Sequence, residues 1–244
     1  MESTATSPVR REDVARAVAA LLRWLQHRPT PAPEPIYLLV TLKAAPVRRF
    51  EHSLRLPRSP FPSISLVTDR LPPAGIPDDI DPLPSSALGG GPGSLPAAAR
   101  RGLVLVDSHL RVPRKSGRAA LVPVDLADPA WAERAREAAR RVELRVEGGT
   151  CRAVRVGHAA MVPEEAVENV VAAVEAAAAC VPRKWRNVRA LHVKAPESIA
   201  LPLYSSLGAG DGGKPEEAKR KGVAAVKEQG IGKRMKKNRS ADCD

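Results

Sequence analysis

The side chains able to do chemistry are spread along this chain in a way that argues against catalysis. Histidines stand at His27, His52, His109, His158 and His192, and cysteines at Cys151, Cys180 and Cys243. A zinc site gathers four ligands, commonly from CxxC or HxxxH pairs, and no such pair or Cys/His cluster occurs. Nucleophilic catalysis needs a serine or cysteine beside a histidine that an acid orients, and no Ser/His/Asp order suggests it. His158 follows Gly157 at the end of an apolar run and reads as structural. The run Gly89-Gly90-Gly91-Pro92-Gly93 neither follows a strand nor opens a helix, so a phosphate-cradling loop is not expected. These residues predict no catalytic group, no metal, no cofactor and no small-molecule substrate.

Positive charge is what the chain holds in excess. Thirty-nine Lys and Arg against 27 Asp and Glu give a net charge of +12. Such a surplus favours a polyanionic partner. The cations fall in three groups. The first is Lys43, Arg48, Arg49, Arg55 and Arg58. The second is Arg183, Lys184, Arg186, Arg189 and Lys194, which contains no acid and holds Trp185 and His192, rings able to stack on a base or a ribose. The third lies near the C-terminal end, with Lys219, Arg220 and Lys221, then Lys233, Arg234, Lys236, Lys237 and Arg239. A charge run is often only a solvated face. The acid-free second group, set between a helix end and a strand, departs most from that reading. The candidate RNA-binding residues are therefore Lys43, Arg48, Arg49, Arg58, Arg183, Lys184, Trp185, Arg186, Arg189 and Lys194. Lys233, Arg234, Lys236 and Lys237 match a nuclear-localisation pattern.

The elements that must hold these groups can be read from periodicity and punctuation. Val14, Val18, Leu21, Leu22 and Leu25 recur at helical spacing, with Ser7 as cap and Pro8 at the first position. The stretch 29–35, PTPAPEP, ends that helix. Strands are expected at 36–42 and 64–68, with a basic loop between them. Prolines and glycines crowd 70–99, which predicts an irregular or disordered stretch. Strands follow at 102–107 and 119–126, the second with Pro123 at an edge or bulge. A largely solvated helix runs from Asp128 and Pro129 to Val142. Leu144 and Val146 with Val154 and Val156 predict strands paired about Gly148-Gly149. The helix 163–180 opens on Pro163, Glu164 and Glu165, which suit the positive end of its dipole, and Pro182 stops it. Strands at 188–194 and 199–203 close the fold, and 208–244 reads as a basic disordered tail.

Composition sets the remaining bounds. Hydrophobic residues make up 43% but aromatics only 3%, so the core must be built from Ala, Val and Leu. The first residues lack the apolar core of a secretory signal, and no apolar run approaches a membrane span. A soluble, intracellular protein with free thiols and no membrane partner is expected.

The stretch 154–206, VRVGHAAMVPEEAVENVVAAVEAAAACVPRKWRNVRALHVKAPESIALPLYSSL, resembles the C-terminal part of the ribosomal L-one domain, the fold of the large-subunit stalk protein and its nucleolar assembly-factor relatives. Gly157, Met161, Glu168-Asn169, Lys184 to Asn187 and the strands 188–203 carry the likeness, and VPRKWRNVRALHVK sits closer to the nucleolar relatives. IYLLVTLKAAP, LRLPRSPF, GLVLVD and LVPVDL match more weakly. Two departures stand out. The turn Leu56-Pro57-Arg58-Ser59 lacks the family's histidine, and Ala200-Leu201-Pro202-Leu203 replaces the stalk protein's RNA-contact motif.

The resemblance implies an α+β, two-domain ribosomal L-one-like fold: a discontinuous first domain, 1–68 and 147–207, with a reduced, inserted Rossmann-like second domain, 69–146. It implies an RNA-binding ribosome biogenesis factor in the nucleus and nucleolus, with ribosomal or precursor ribosomal RNA and pre-ribosomal proteins as partners. A structural constituent of the large subunit and a protein-interaction adaptor without RNA binding are the alternatives.

Overall fold

The computed structural model describes residues 7–28, 30, 32–70, 72, 75–89, 95–110 and 120–206. Its elements run α1 Arg11–Gln26, β1 Pro35–Leu42, β2 Phe50–Arg55, β3 Ile64–Val67, β4 Ile80–Leu83, α2 Ser86–Gly89, α3 Ala97–Arg101, β5 Leu103–Asp107 and β6 Ala120–Val124. They continue with α4 Trp131–Ala139, β7 Arg141–Val146, β8 Cys151–His158, α5 Pro163–Cys180, a 3-10 turn at Lys184–Asn187, β9 Val188–Lys194 and β10 Leu201–Ser205. The expected tail 208–244 and the localisation residues Lys233, Arg234, Lys236 and Lys237 lie outside the described residues.

An antiparallel sheet in the order β10-β9-β1-β8 supports the basic segments. β1 alternates strictly, and Ile36, Leu38, Val40 and Leu42 are buried. Period-two alternation puts those four side chains on one face. There they meet Val14, Val18 and Leu21 of α1 and Val170, Ala173, Val174 and Ala177 of α5. The opposite face carries Tyr37, Leu39 and Thr41, paired across to Lys194, His192 and Ala190. A ribbon of β2 and β7 adds Leu54, Val142, Leu144 and Val146 to the same core.

The second architecture is a parallel sheet in the order β4-β3-β5-β6. β5 is buried along its whole length, as a parallel strand covered on both faces must be. Leu66, Leu103 and Leu105 pack on Trp131, Ala135 and Ala139 of α4. Val67, Val104 and Val106 pack on Ala87, Leu95 and Ala99 on the other side. Parallel and antiparallel sheets thus occur together with helices, as an α+β expectation requires in coarse terms.

Several sequence expectations need correction. α1 begins at Arg11 instead of beside Pro8: Ser7 Oγ accepts from Val9 N–H at 3.3 Å in a turn before the helix. The loop between the first two expected strands contains a strand of its own, β2, whose polar outer face hid it. The stretch 70–99 is not uniformly irregular, since β4, α2 and the start of α3 lie within it. Pro82 is tolerated because β4 is an edge strand, where a residue without an N–H can face away from β3. The helix after Pro129 stops at Ala139, and Val142 belongs to β7. β7 and β8 do not pair about Gly148: β7 ladders with β2 and β8 with β1. A turn sets only which strands are neighbours in the chain, and here β8 ladders with β1 from Pro35 to Thr41. The last strand is shifted to Leu201–Ser205.

Candidate nucleic-acid interface

The two basic groups that lie about 140 positions apart in the sequence meet at one end of the antiparallel sheet. β1 runs out at Leu42, and its last N–H reaches Thr150 O at 2.7 Å. The next residue, Lys43, donates its backbone N–H to Asn187 O at 2.7 Å. Asn187 is buried, and its side chain closes the junction: Oδ1 accepts from Ala44 N–H at 3.0 Å and Nδ2 donates to Ala44 O at 3.2 Å. An amide carries both an acceptor and a donor, so it can satisfy a backbone N–H and C=O together. One residue therefore ties the β1–β2 loop to the turn between α5 and β9.

That turn is sharply bent. Pro182 cannot continue α5, and Arg183 and Lys184 take positive φ values of 66° and 50°. Left-handed backbone costs about 1–2 kcal/mol per non-glycine residue, so the neighbours must hold it. Lys184 N–H donates to Val181 O at 2.9 Å, Arg186 N–H donates to Arg183 O at 3.2 Å, and Val181 is buried in the core. Trp185 anchors the turn from below. It is half-buried, and its ring meets Tyr204 edge-on with centroids 5.4 Å apart.

Lys43, Arg48, Arg49, Arg183, Lys184, Arg186 and Arg189 are all exposed at this end. Only Arg49 among them has a carboxylate within ion-pair distance, Glu51 at 3.1 Å and Glu147 at 3.9 Å, counting the described residues. The other six cations are available to an outside anion. Between the loop and the turn lies an open cleft of about 420 Å³. Phe50, Pro46 and Pro182 are among the apolar residues lining it, and Arg48, Arg49 and Arg183 stand around them.

Three expected site residues lie elsewhere or face inward. Trp185 is the packed residue just described. Lys194 is at the far end of β9, about 20 Å from Val188 at the rise of an extended strand, opposite Tyr37. Arg58 sits toward the other end of α5: its N–H donates to Asn169 Oδ1 at 2.9 Å, and its guanidinium lies 3.6 Å from Glu165. Asn169 precedes Cys180 by eleven residues, about 16 Å of helix axis.

Asn169 and Arg155 are positioning residues that charge patterns do not disclose. Asn169 is fully buried and donates to Arg58 O at 3.1 Å and Val156 O at 2.9 Å. Arg155 donates from Nε to Pro60 O at 3.0 Å, and its guanidinium lies 4.6 Å from the Phe61 ring centroid. Burial, then the nearby Arg101 charge, lower its pKa to about 10, against an opposing pull from Tyr37. Together these two side chains pin the segment that leads from β2 to β3. Among the described residues no group of three His, Cys, Asp or Glu side chains is placed to hold a metal ion. No helix among them is long and apolar enough to cross a membrane.

The mixed parallel and antiparallel sheets are consistent with an L1-like fold, and comparison with known proteins agrees. The model of the Ribosomal protein L1p/L10e family matches residues 108–199, a span that includes α4, α5, the basic turn and β9. Ribosomal L1 domain-containing protein 1 of Mus musculus is similar, 38% identical over 58 residues. That match covers 24% of this chain and 13% of the relative. The two findings support an L1-domain family for this chain, near the L1 domain-containing proteins.

Proposed function

We propose that this protein is a non-enzymatic RNA-binding factor of ribosome assembly that acts on precursor ribosomal RNA, in the nucleus and nucleolus, with pre-ribosomal proteins as partners. The observation that carries the reading is the joining of the Lys43–Arg49 loop to the Arg183–Arg189 turn through Asn187. It leaves six exposed cations without a carboxylate partner among the described residues, on a sheet-anchored platform. Phosphate contacts from such cations supply affinity and register. The family match adds an association with RNA and ribosomal components.

The same reading divides the chain into two domains. One would combine α1, β1, β2, β7 to β10 and α5; the other, inserted, would hold the parallel sheet. The separate hydrophobic clusters support this division. Lys233, Arg234, Lys236 and Lys237 would serve nuclear import.

Crosslinking in cells followed by RNA sequencing, with sucrose-gradient sedimentation alongside, tests the proposal. Crosslinks to precursor ribosomal RNA and sedimentation with pre-ribosomal particles are expected. Sedimentation with translating polysomes would favour a constituent of the mature subunit, and absence of RNA crosslinks would favour an adaptor.

A further inference from the structure

We propose that the cleft between the β1–β2 loop and the α5–β9 turn receives one unpaired nucleobase, so that the preferred ligand is RNA with a bulged or single-stranded nucleotide. This rests on the RNA-binding reading above and adds the class of RNA. Charge alone accounts for phosphate binding but not for the shape of this place. The cleft measures about 420 Å³, within the roughly 300–1,000 Å³ of small-molecule sites. Its lining is mostly apolar, with Ala45, Pro46, Val47, Phe50 and Pro182. Val47 at the loop tip is fully exposed, an unusual placement for a branched aliphatic side chain amid arginines. Arg48 and Arg183 stand beside these residues with no carboxylate partner among the described residues, while Arg49 is held by Glu51 and Glu147.

An apolar slot flanked by free cations complements a nucleotide: a flat base that gains from leaving water, joined to phosphates that need positive charge. A paired base cannot enter, because its faces are stacked and its edge is bonded. A bulged base is already displaced, so little unstacking opposes its insertion. The cleft is also held open in advance. Asn187 fixes Ala44 on one side, and the Pro182–Lys184 bend fixes the other, so less ordering accompanies binding.

The test uses the full chain and three fluorescently labelled hairpins with the same stem: fully paired, with one bulged uridine, and with an abasic nucleotide at the bulge. Anisotropy titrations at one salt concentration give the affinities. The bulged hairpin should bind about fivefold or more tighter than the paired one, the low end expected for one buried base. The abasic hairpin should lose most of that gain. Ala45→Leu, which fills the cleft without changing charge, should bring the affinities for the bulged and the paired hairpin together. Equal affinity for uridine and abasic bulges overturns the proposal while leaving RNA binding intact. A preference that survives Ala45→Leu also overturns it, because the base is then held elsewhere. If none of the hairpins binds, the RNA-binding reading fails and this inference fails with it.

Discussion

Replacing Asn187 should cost stability and RNA affinity together, because its buried amide bonds both polar groups of Ala44 where the two basic segments meet. In Asn187→Ala the Ala44 N–H and C=O lose their side-chain partners, at 3.0 and 3.2 Å. A typical hydrogen bond contributes about 0.5–1.5 kcal/mol net, so the pair is worth about 2 kcal/mol. Ala44 is exposed, and water can partly replace the missing partners, which keeps the figure from rising further. For a unit of this size, 1 kcal/mol shifts Tm by about 2–4 °C, so a fall of about 4–8 °C is expected. Asn187→Asp separates geometry from volume. It keeps an acceptor for Ala44 N–H but turns a carboxylate oxygen toward Ala44 O, and should destabilise at least as much. Urea unfolding followed by far-ultraviolet circular dichroism gives the stabilities, and anisotropy with a bulged hairpin gives the affinities. If both variants stay within about 0.5 kcal/mol of wild type, smaller than the loss of one such bond, the clamp is not what joins the two segments.

Other consequences follow from the same structure. Asn169→Ala removes three hydrogen bonds from a fully buried site and should cost about 3 kcal/mol in urea unfolding; a loss under about 1 kcal/mol, the worth of a single such bond, would contradict the role given to it. Gly102→Ala would place a Cβ 2.6 Å from the carbonyl oxygen of Ser63, which accepts from Leu103 N–H at 2.9 Å. Displacing that carbonyl should cost about 1–3 kcal/mol, read as a lower denaturation midpoint. His158 is pushed down from 6.5 to about 4, first by burial and then by the charge of Arg155. The unfolded chain therefore takes up a proton at higher pH than the folded one, so the stabilisation is complete above about pH 6.5 and falls away as pH drops toward about 4. Wild type should lose stability between about pH 7 and pH 5 relative to His158→Gln, and parallel midpoints for the two would refute the assignment.

Much of the platform could be read from the sequence because its boundaries are set by local chemistry. Pro163 and Pro182 bracket α5, and the expected span 163–180 coincides with Pro163–Cys180. The strand at 188–194 coincides with Val188–Lys194, where Val188, Leu191 and Val193 turn inward. Other features depended on partners distant in the chain. β2 exposes Glu51, His52 and Ser53, so it looks like a loop until β7 is laid beside it. β4 contains Pro82 and becomes possible only at a sheet edge. Of the candidate site, the charges were legible but their grouping was not. Arg48 and Arg183 share a cleft because Asn187, a neutral amide at the end of a basic run, bonds to Ala44 across 143 positions. Lys194 and Arg58 belong to the same charge runs yet are carried elsewhere, Lys194 by the length of β9 and Arg58 by β2, which delivers it beside Asn169 of α5.

The measurement that bears most directly on the central claim is the salt dependence of RNA affinity. Wild type and a variant with Arg183, Lys184, Arg186 and Arg189 all changed to Ala would be titrated against one bulged hairpin at several salt concentrations. Removing a cation that neutralises one phosphate should flatten the slope of log affinity against log salt by roughly 0.7–0.9. If all four cations neutralise phosphates, the variant's slope should be shallower by about 3, with weaker binding even at low salt. Equal affinity and equal slope in the two proteins would show that these four cations of the α5–β9 turn do not contact RNA, and would contradict the account.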